Sequence, residues 1–362
     1  MKIGIDARLW NQTGVGRYIR NLVYNLQILD KKNDYVVFVM SEDFNDIKFK
    51  IQNSKFKIQN CNIKWHSIAE QIKFTRLINK ENLDLIHFPY YSIPVFYNRF
   101  FVVTLHDLIP LHFQTGKAST LPFPFYKFKF FAYRFVVSQA AKKAKKIIAP
   151  SNATKKDIVE YLKVPSSKIQ TIYEGVDKAL MNSVQSGNKK DHFLYIGNAY
   201  PHKNLEFLLK VFKDLPDLRL ILVGKEDYFY KKLKKKAEKL NVTNVKFFGF
   251  ATDAELSDLY KKAKALIIPS LIEGFGLPAL EAMANNCLVI ASDIPVLHEV
   301  CGDAAIYFDP KNSGDLAEKL NNVNTSNHQD KIEKGYKRVK QFSWEKTAQE
   351  TLKLYKDLLH SQ

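Results

Sequence analysis

Ala265-Leu-Ile-Ile-Pro-Ser-Leu-Ile-Glu-Gly-Phe-Gly-Leu-Pro-Ala-Leu-Glu-Ala-Met-Ala284 is the stretch whose reading decides the fold. The apolar run Ala265–Pro269 reads as a buried strand. A short loop with Gly274 and Gly276 follows. Pro278 suits the first turn of a helix, where its missing N–H costs nothing. Glu273 then lies at the strand's C-terminal end, and Glu281 about one turn into the helix. Free backbone N–H groups and the positive end of the helix dipole share that space. A phosphate or an electron-rich sugar fits there, with two carboxylates close by to accept hydroxyl hydrogen bonds. Glu281 could instead face solvent, but Ala279, Leu280, Ala282, Met283 and Ala284 surround it with apolar groups, so its carboxylate needs a partner.

The same strand-then-helix alternation runs along the whole chain. Candidate strands are Lys2–Asp6, Tyr35–Met40, Leu85–Phe88, Phe101–Leu105 and Lys146–Pro150. Six more follow: Phe193–Ile196, Leu218–Val223, Val245–Phe248, Ala265–Pro269, Leu288–Ala291 and Ile306–Phe308. Their Val/Ile/Leu runs show little alternation, as parallel strands covered on both faces do. The fold class is α/β, with two Rossmann-like doubly wound domains. A chain of 362 residues, 46% hydrophobic, suits two cores. The break is expected after Tyr173-Glu-Gly-Val-Asp177, before the polar, turn-rich segment 182–190. A last helix is expected over about 344–359. Ligands of open α/β sheets bind beyond the strands' C-terminal ends, so the site is expected in a cleft between the two domains.

Cys61, Cys287 and Cys301 show neither metal spacing nor a disulfide framework. They suit a reducing cytosol. Met1-Lys-Ile-Gly-Ile-Asp6 reads as a first strand, not as a charged-then-apolar leader. No apolar run approaches the roughly 20 residues of a membrane span. The expected location is cytoplasmic, with peripheral attachment to the inner face of the cell membrane as an added expectation.

The formal net charge is +18 and the pI about 9.5, which favours polyanionic partners. Between Asp107 and Asp157 there is no acidic residue but ten Lys and Arg, from Lys117 to Lys156. Aromatics interleave with them in Phe123-Pro-Phe-Tyr-Lys-Phe-Lys-Phe-Phe-Ala-Tyr-Arg-Phe135. The Phe123–Lys146 stretch fits an anionic bilayer surface, and equally a packed helix with a solvated basic face. A nucleic-acid partner is not expected, because no recognised nucleic-acid module occurs.

Three further motifs fall at strand ends. Gly14 and Gly16, in Asn11-Gln-Thr-Gly-Val-Gly-Arg17, would let a diphosphate approach the backbone ahead of a helix starting near Arg17. Alone, such a turn is more often just a turn, and Ile19 and Arg20 leave the dinucleotide fingerprint incomplete. His106 and Asp107 follow the strand at Leu105. Gly197-Asn-Ala-Tyr-Pro-His-Lys-Asn204 follows the first strand of the second domain and places Lys203 at a helix start. A cation there is disfavoured by the helix dipole unless an anion is bound.

These points together resemble the retaining GT-B glycosyltransferases of glycosyltransferase family 4, also called group 1. Glu273-Gly-Phe-Gly-Leu-Pro-Ala-Leu-Glu281 matches the family's E-x7-E motif in register. Tyr195–Asn204 resembles its donor phosphate loop, and Ile3–Arg8 with Gly14–Arg17 its N-terminal loop. The mannosyltransferase-like branch that builds bacterial surface polysaccharides looks closest. Glucosyl-, galactosyl- or N-acetylglucosaminyltransfer on the same fold is the alternative.

The resemblance implies an N-terminal acceptor-side domain over 1–177 and a C-terminal donor domain over 178–343, with a final helix, about 344–362, returning to the first. It implies that Glu273 holds donor sugar hydroxyls and Glu281 the ribose. The backbone of Phe275, Gly276 and Leu277 would line sugar and phosphate beside Gly274. Lys203 would bind the diphosphate, with Gly197 and Asn198 in its loop and Gly14 and Gly16 closing on it. His106 would contact the transferred sugar, and Phe250 would lie at the base. Many members carry an Arg near the phosphate lysine. Asn198 and His202 stand there instead, so His202 or Lys225 is the candidate replacement. The implied partners are a nucleoside diphosphate sugar and a glycan or lipid-linked acceptor. No prosthetic group is expected, and without any Asp-x-Asp pair no metal-bridged diphosphate is expected either.

Overall fold

The computed structural model describes residues 1–113, 123–176 and 191–360. The expected break at 177, the polar segment 182–190 and Lys117 lie outside the described residues. The chain forms two compact units. The first holds Met1–Gln114, Leu121–Glu174 and Trp344–Gln362, the second Gly175–Ser343. No described helix is long and apolar enough to cross a membrane.

The first unit is built on a seven-stranded parallel sheet ordered β3-β2-β1-β4-β5-β6-β7. Its strands are β1 (Lys2–Asp6), β2 (Asp34–Val39), β3 (Phe56–Asn60), β4 (Leu85–Phe88), β5 (Phe101–Thr104), β6 (Lys146–Ala149) and β7 (Ile169–Thr171). The central strands β4 and β5 are buried at every residue, as a sheet covered on both faces requires. The edge strands β3 and β7 are absent from the sequence reading. In β3 the Phe-Lys-Ile-Gln-Asn run leaves every residue but Phe56 at least partly exposed, and β7 has only three residues. Neither edge carries a run of apolar side chains.

Trp344–His360 forms the expected last helix and packs on Thr13–Leu29 in this unit. Tyr355 from it reaches the fully buried His87 on β4, with hydroxyl and Nδ1 2.6 Å apart. The other ring nitrogen of His87 lies 2.8 Å from the Thr104 hydroxyl. Burial pushes this imidazole down to about 3, so it stays neutral.

The second unit carries a six-stranded parallel sheet ordered β10-β9-β8-β11-β12-β13. Its strands are β8 (His192–Ile196), β9 (Leu220–Val223), β10 (Val245–Gly249), β11 (Ala263–Ile268), β12 (Leu288–Ser292) and β13 (Ala305–Phe308). The chain leaves β8 towards β9 on one side and later returns as β11 on the other. The order reverses between those neighbours, and such a switch point opens a crevice at the strands' C-terminal ends.

Candidate functional site

Glu273 and Lys203 meet at this switch point. Lys203 ends the Pro201–Lys203 turn that follows β8, and Glu273 lies on the loop that follows β11. Lys203 Nζ donates to Glu273 Oε1 at 2.6 Å, and the Ser270 hydroxyl donates to the same oxygen at 2.6 Å. The two loops are also tied by backbone, Leu271 N–H to His202 C=O at 2.8 Å. The side chains are only 17% (Lys203) and 11% (Glu273) exposed. Burial pushes the Glu273 carboxyl up, but the Lys203 charge and the hydrogen bonds from Lys203 and Ser270 outweigh it and hold the carboxyl below its ordinary value. An ionised carboxylate and a cation therefore stand together at the mouth of the crevice.

The Gly197–Asn204 loop is braced from beneath. Tyr195 Oη donates to Asn198 C=O at 2.6 Å, and Tyr230 Oη to Gly197 C=O at 2.9 Å. Gly224, just past β9, allows this packing: a Cβ there would lie 2.1 Å from the Gly197 oxygen. Asn204 closes the turn with φ of +60° and its side chain donates to Pro310 C=O at 2.9 Å. His202 is buried, and burial with the Lys203 charge lowers its imidazole to about 4. It is neutral at pH 7 and supplies no second positive charge as it stands. Lys225 is exposed on the loop after β9.

Gly276 has φ of +101°, a conformation that suits glycine, and turns the chain into the helix Leu277–Ala284 with Pro278 in its first turn. The Phe275 ring is 4% exposed and meets Phe342 edge-on at 5.9 Å, so its side chain belongs to the core. Only its backbone, with that of Gly274, Gly276 and Leu277, is left to line a ligand. Glu281 does not face solvent. It is 5% exposed and accepts from the Tyr260 hydroxyl at 3.0 Å. Phe250 follows the edge strand β10, and its ring is 77% exposed.

In the first unit, His106 follows β5. Its Nδ1 lies 2.9 Å from Glu174 Oε1 and its Nε2 3.0 Å from the Pro89 carbonyl oxygen. A carbonyl only accepts, so Nε2 carries a proton. Burial pushes this imidazole down, but the bond to Glu174, the Glu174 charge and the Pro89 carbonyl raise it above its ordinary value overall. Both ring nitrogens are thus engaged by the protein. The glycine turn differs from expectation. The helix begins at Thr13, so Gly14 and Gly16 sit in its first turn and not in a loop ahead of Arg17. Gly16 is needed there because a Cβ would lie 2.4 Å from the Trp10 carbonyl oxygen, whereas Gly14 has open space around it.

Sequence reasoning missed Ser270, Glu174, Tyr195, Tyr230 and Gly224. A glycine directly after a strand, as Gly224 is, was a readable signal. Tyr230 and Glu174 carry none, since their partners Gly197 and His106 lie far off in sequence. Ser270 and Tyr195 bond three residues on, to Glu273 and Asn198, within loops whose path the sequence does not fix.

Two parallel-sheet α/β units, with an ion pair and a glycine-shaped helix start at the second sheet's switch point, define a nucleotide-sugar glycosyltransferase of GT-B architecture. The chain belongs to glycosyltransferase family 4, the group 1 glycosyl transferases: the profile for Glycosyltransferase Family 4 matches residues 12–180 and that for Glycosyl transferases group 1 residues 176–342. It is 32% identical over 262 residues to the O-antigen chain mannosyltransferase RfbU of Salmonella typhimurium, covering 72% of this chain and 70% of that one. The MMP alpha-(1->4)-mannosyltransferase of Mycolicibacterium hassiacum is 30% identical over 236 residues, covering 62% of this chain and 57% of that protein. Among solved structures, the sucrose-phosphate synthase of Thermosynechococcus elongatus shares the fold with a TM-score of 0.81 at 19% identity, covering 100% of both chains. Anabaena HepE in complex with UDP-glucose does so with a TM-score of 0.77 at 18% identity, covering 99% of this chain and 100% of that one.

Proposed function

We propose that this enzyme transfers mannose, with retention, from a nucleoside diphosphate mannose to a hydroxyl of a growing surface glycan. The Lys203–Glu273 pair at 2.6 Å is the observation that carries the donor assignment. A donor diphosphate takes over Lys203, and the released Glu273 carboxylate accepts sugar hydroxyls. Glu281 takes the ribose. The start of the Leu277–Ala284 helix and Lys203 neutralise the diphosphate as it leaves. The family resemblance gives the transferred sugar to His106, the diphosphate to the Gly14–Gly16 turn and the base to Phe250. The similarity to RfbU and to the mycobacterial mannosyltransferase supports mannose as the sugar.

With retention, the acceptor enters on the face the diphosphate leaves. The anomeric carbon–phosphate oxygen bond breaks, the bond to the acceptor oxygen forms, and the departing phosphate takes the acceptor proton. Glu273 is a positioner in this scheme and not a nucleophile. No metal and no prosthetic group enter it.

We further propose a lipid-linked acceptor at an anionic membrane surface, met by the Phe123–Lys146 segment. Phe125, Phe128, Phe131 and Phe135 are 66%, 77%, 64% and 57% exposed on one helix. They fall within about 120° of arc at 100° per residue, beside Lys127, Lys129 and Arg134.

A panel of GDP-mannose, UDP-glucose, UDP-galactose and UDP-N-acetylglucosamine, read by nucleoside diphosphate release with purified protein, tests the donor. GDP-mannose is expected to be turned over fastest. Preference for a UDP-sugar would overturn mannose and leave hexosyl transfer standing. The anomeric configuration of the product, read by NMR, tests retention.

A further inference from the structure

Next to the exposed phenylalanines lies a groove of about 680 Å³ within the first unit. One wall is the helix Phe123–Lys143. Residues four apart stack on one helix face, so Phe131 and Phe135 form one row and Arg134, Ser138 and Lys142 the next. The other wall is Tyr161, Leu162 and Lys163, where the helix Asn152–Leu162 ends. Lys163 closes that helix with φ of +53°. Leu111 and Val137 give the groove an apolar floor, at 7% and 0% exposure.

The lining, among the described residues, holds three cations and no carboxylate. Lys168 adds a fourth positive charge close by, through its bond to the Lys142 carbonyl at 2.5 Å. Phe131 and Phe135 belong both to the groove and to the exposed phenylalanine stripe. An apolar path therefore leads from the helix surface to a cluster of positive charge.

We propose that this groove seats the phosphate headgroup of a long-chain anionic lipid. Arg134, Lys142 and Lys163 hold the phosphate, and the chain lies along Phe131 and Phe135 towards the bilayer. The inference rests on the membrane reading above and narrows it to one discrete seat. A planar surface attachment needs only the outward phenylalanines and diffuse charge. A seat needs Arg134 and Lys142 and saturates at one ligand per chain.

The test uses the full chain and two variants whose folding is checked by circular dichroism. Arg134→Gln/Lys142→Gln alters the groove, and Phe125→Ser/Phe128→Ser alters only the outward stripe. Dodecyl phosphate below its micelle concentration, inorganic phosphate and dodecyl maltoside are titrated by calorimetry. Flotation with phosphatidylcholine vesicles containing phosphatidylglycerol is run in parallel.

Dodecyl phosphate is expected to bind one per chain, about tenfold or more weaker in the charge variant, and unchanged in the phenylalanine variant. Inorganic phosphate and dodecyl maltoside should bind far more weakly. Equal dodecyl phosphate affinity in the charge variant overturns the seat, and so does dodecyl maltoside binding as tightly. If the wild type does not float but still binds dodecyl phosphate at Arg134 and Lys142, the surface reading falls and the seat stands.

Discussion

Lys203 Nζ and Glu273 Oε1 are joined at 2.6 Å although 70 residues separate them in the chain. They meet because β8 and β11 are neighbours in the sheet, and each residue lies in the loop after its strand. Breaking the pair from one side leaves a mostly buried carboxylate without its cation. Lys203→Met is therefore expected to cost about 3 kcal/mol of stability. Lys203→Met/Glu273→Gln should recover most of that. Neither variant should recover transfer, which is expected to fall about 10²–10³-fold. Thermal melts and donor-dependent nucleotide release check both halves, and a double variant with wild-type turnover would remove the pair from the donor site.

The same pair sets a pH dependence. The Glu273 carboxyl titrates lower in the folded chain than its ordinary 4.5. Its contribution is complete above 4.5 and is lost as pH falls through the folded value. Two buried histidines add to the acid sensitivity. His87 and His202 titrate at about 3 and about 4 when folded, against 6.5 ordinarily. Below pH 6.5 the unfolded chain takes up protons that the folded chain refuses. Each histidine then lowers stability by about 1.4 kcal/mol per pH unit until its folded value is reached. Urea midpoints between pH 7 and 4.5 should fall steadily, and His202→Asn should flatten the slope by about one proton. An unchanged slope in that variant would mean that His202 is protonated in the folded chain.

His106 has the opposite sign. Glu174 and the Pro89 carbonyl favour its charged form, so its contribution is complete below 6.5 and is lost as pH rises through the folded value. Glu174→Gln removes the charge and should shift the His106 titration downward, as read by NMR of the ring carbons. A titration unmoved by that substitution would rule out Glu174 as the partner that holds the proton.

Gly224→Ala places a Cβ 2.1 Å from the Gly197 oxygen and must displace the loop that carries Lys203. The expected cost is about 1–3 kcal/mol, with a raised KM for the donor. Gly314→Ala is the control, since a Cβ there would meet only Asn312 Oδ1, at 3.4 Å. Equal donor KM in both variants would show that the loop tolerates the shift.

Much of this site was legible because it is local. Ala265–Ala284 carries strand, turn and helix start within a single stretch of chain, and Pro278 and the two glycines mark the boundaries. Glu281 was legible as a partnered carboxylate from its apolar neighbours, though not the partner itself, Tyr260. The edge strands β3 and β7 were illegible because half-exposed or very short strands lack an apolar run. The Gly14–Gly16 turn was misjudged because the helix starts without a side-chain cap at Gln12, which leaves no signal for its first residue. The Lys203–Glu273 and His106–Glu174 pairs are products of strand order, which one sequence does not reveal.

The helix Trp344–His360 completes the first unit although the chain reaches it only after the whole second unit. Its Tyr355 satisfies the buried His87, and its Trp344 ring meets Tyr18 at 6.2 Å. No single cut can therefore separate the enzyme into two self-sufficient fragments. A fragment ending at Glu174 would expose the face of Thr13–Leu29 on which the helix packs and leave His87 short of a hydrogen bond. An independently expressed first half would need residues 344–362 spliced directly behind it. A newly made chain, likewise, cannot finish its first unit until the helix Trp344–His360 has left the ribosome.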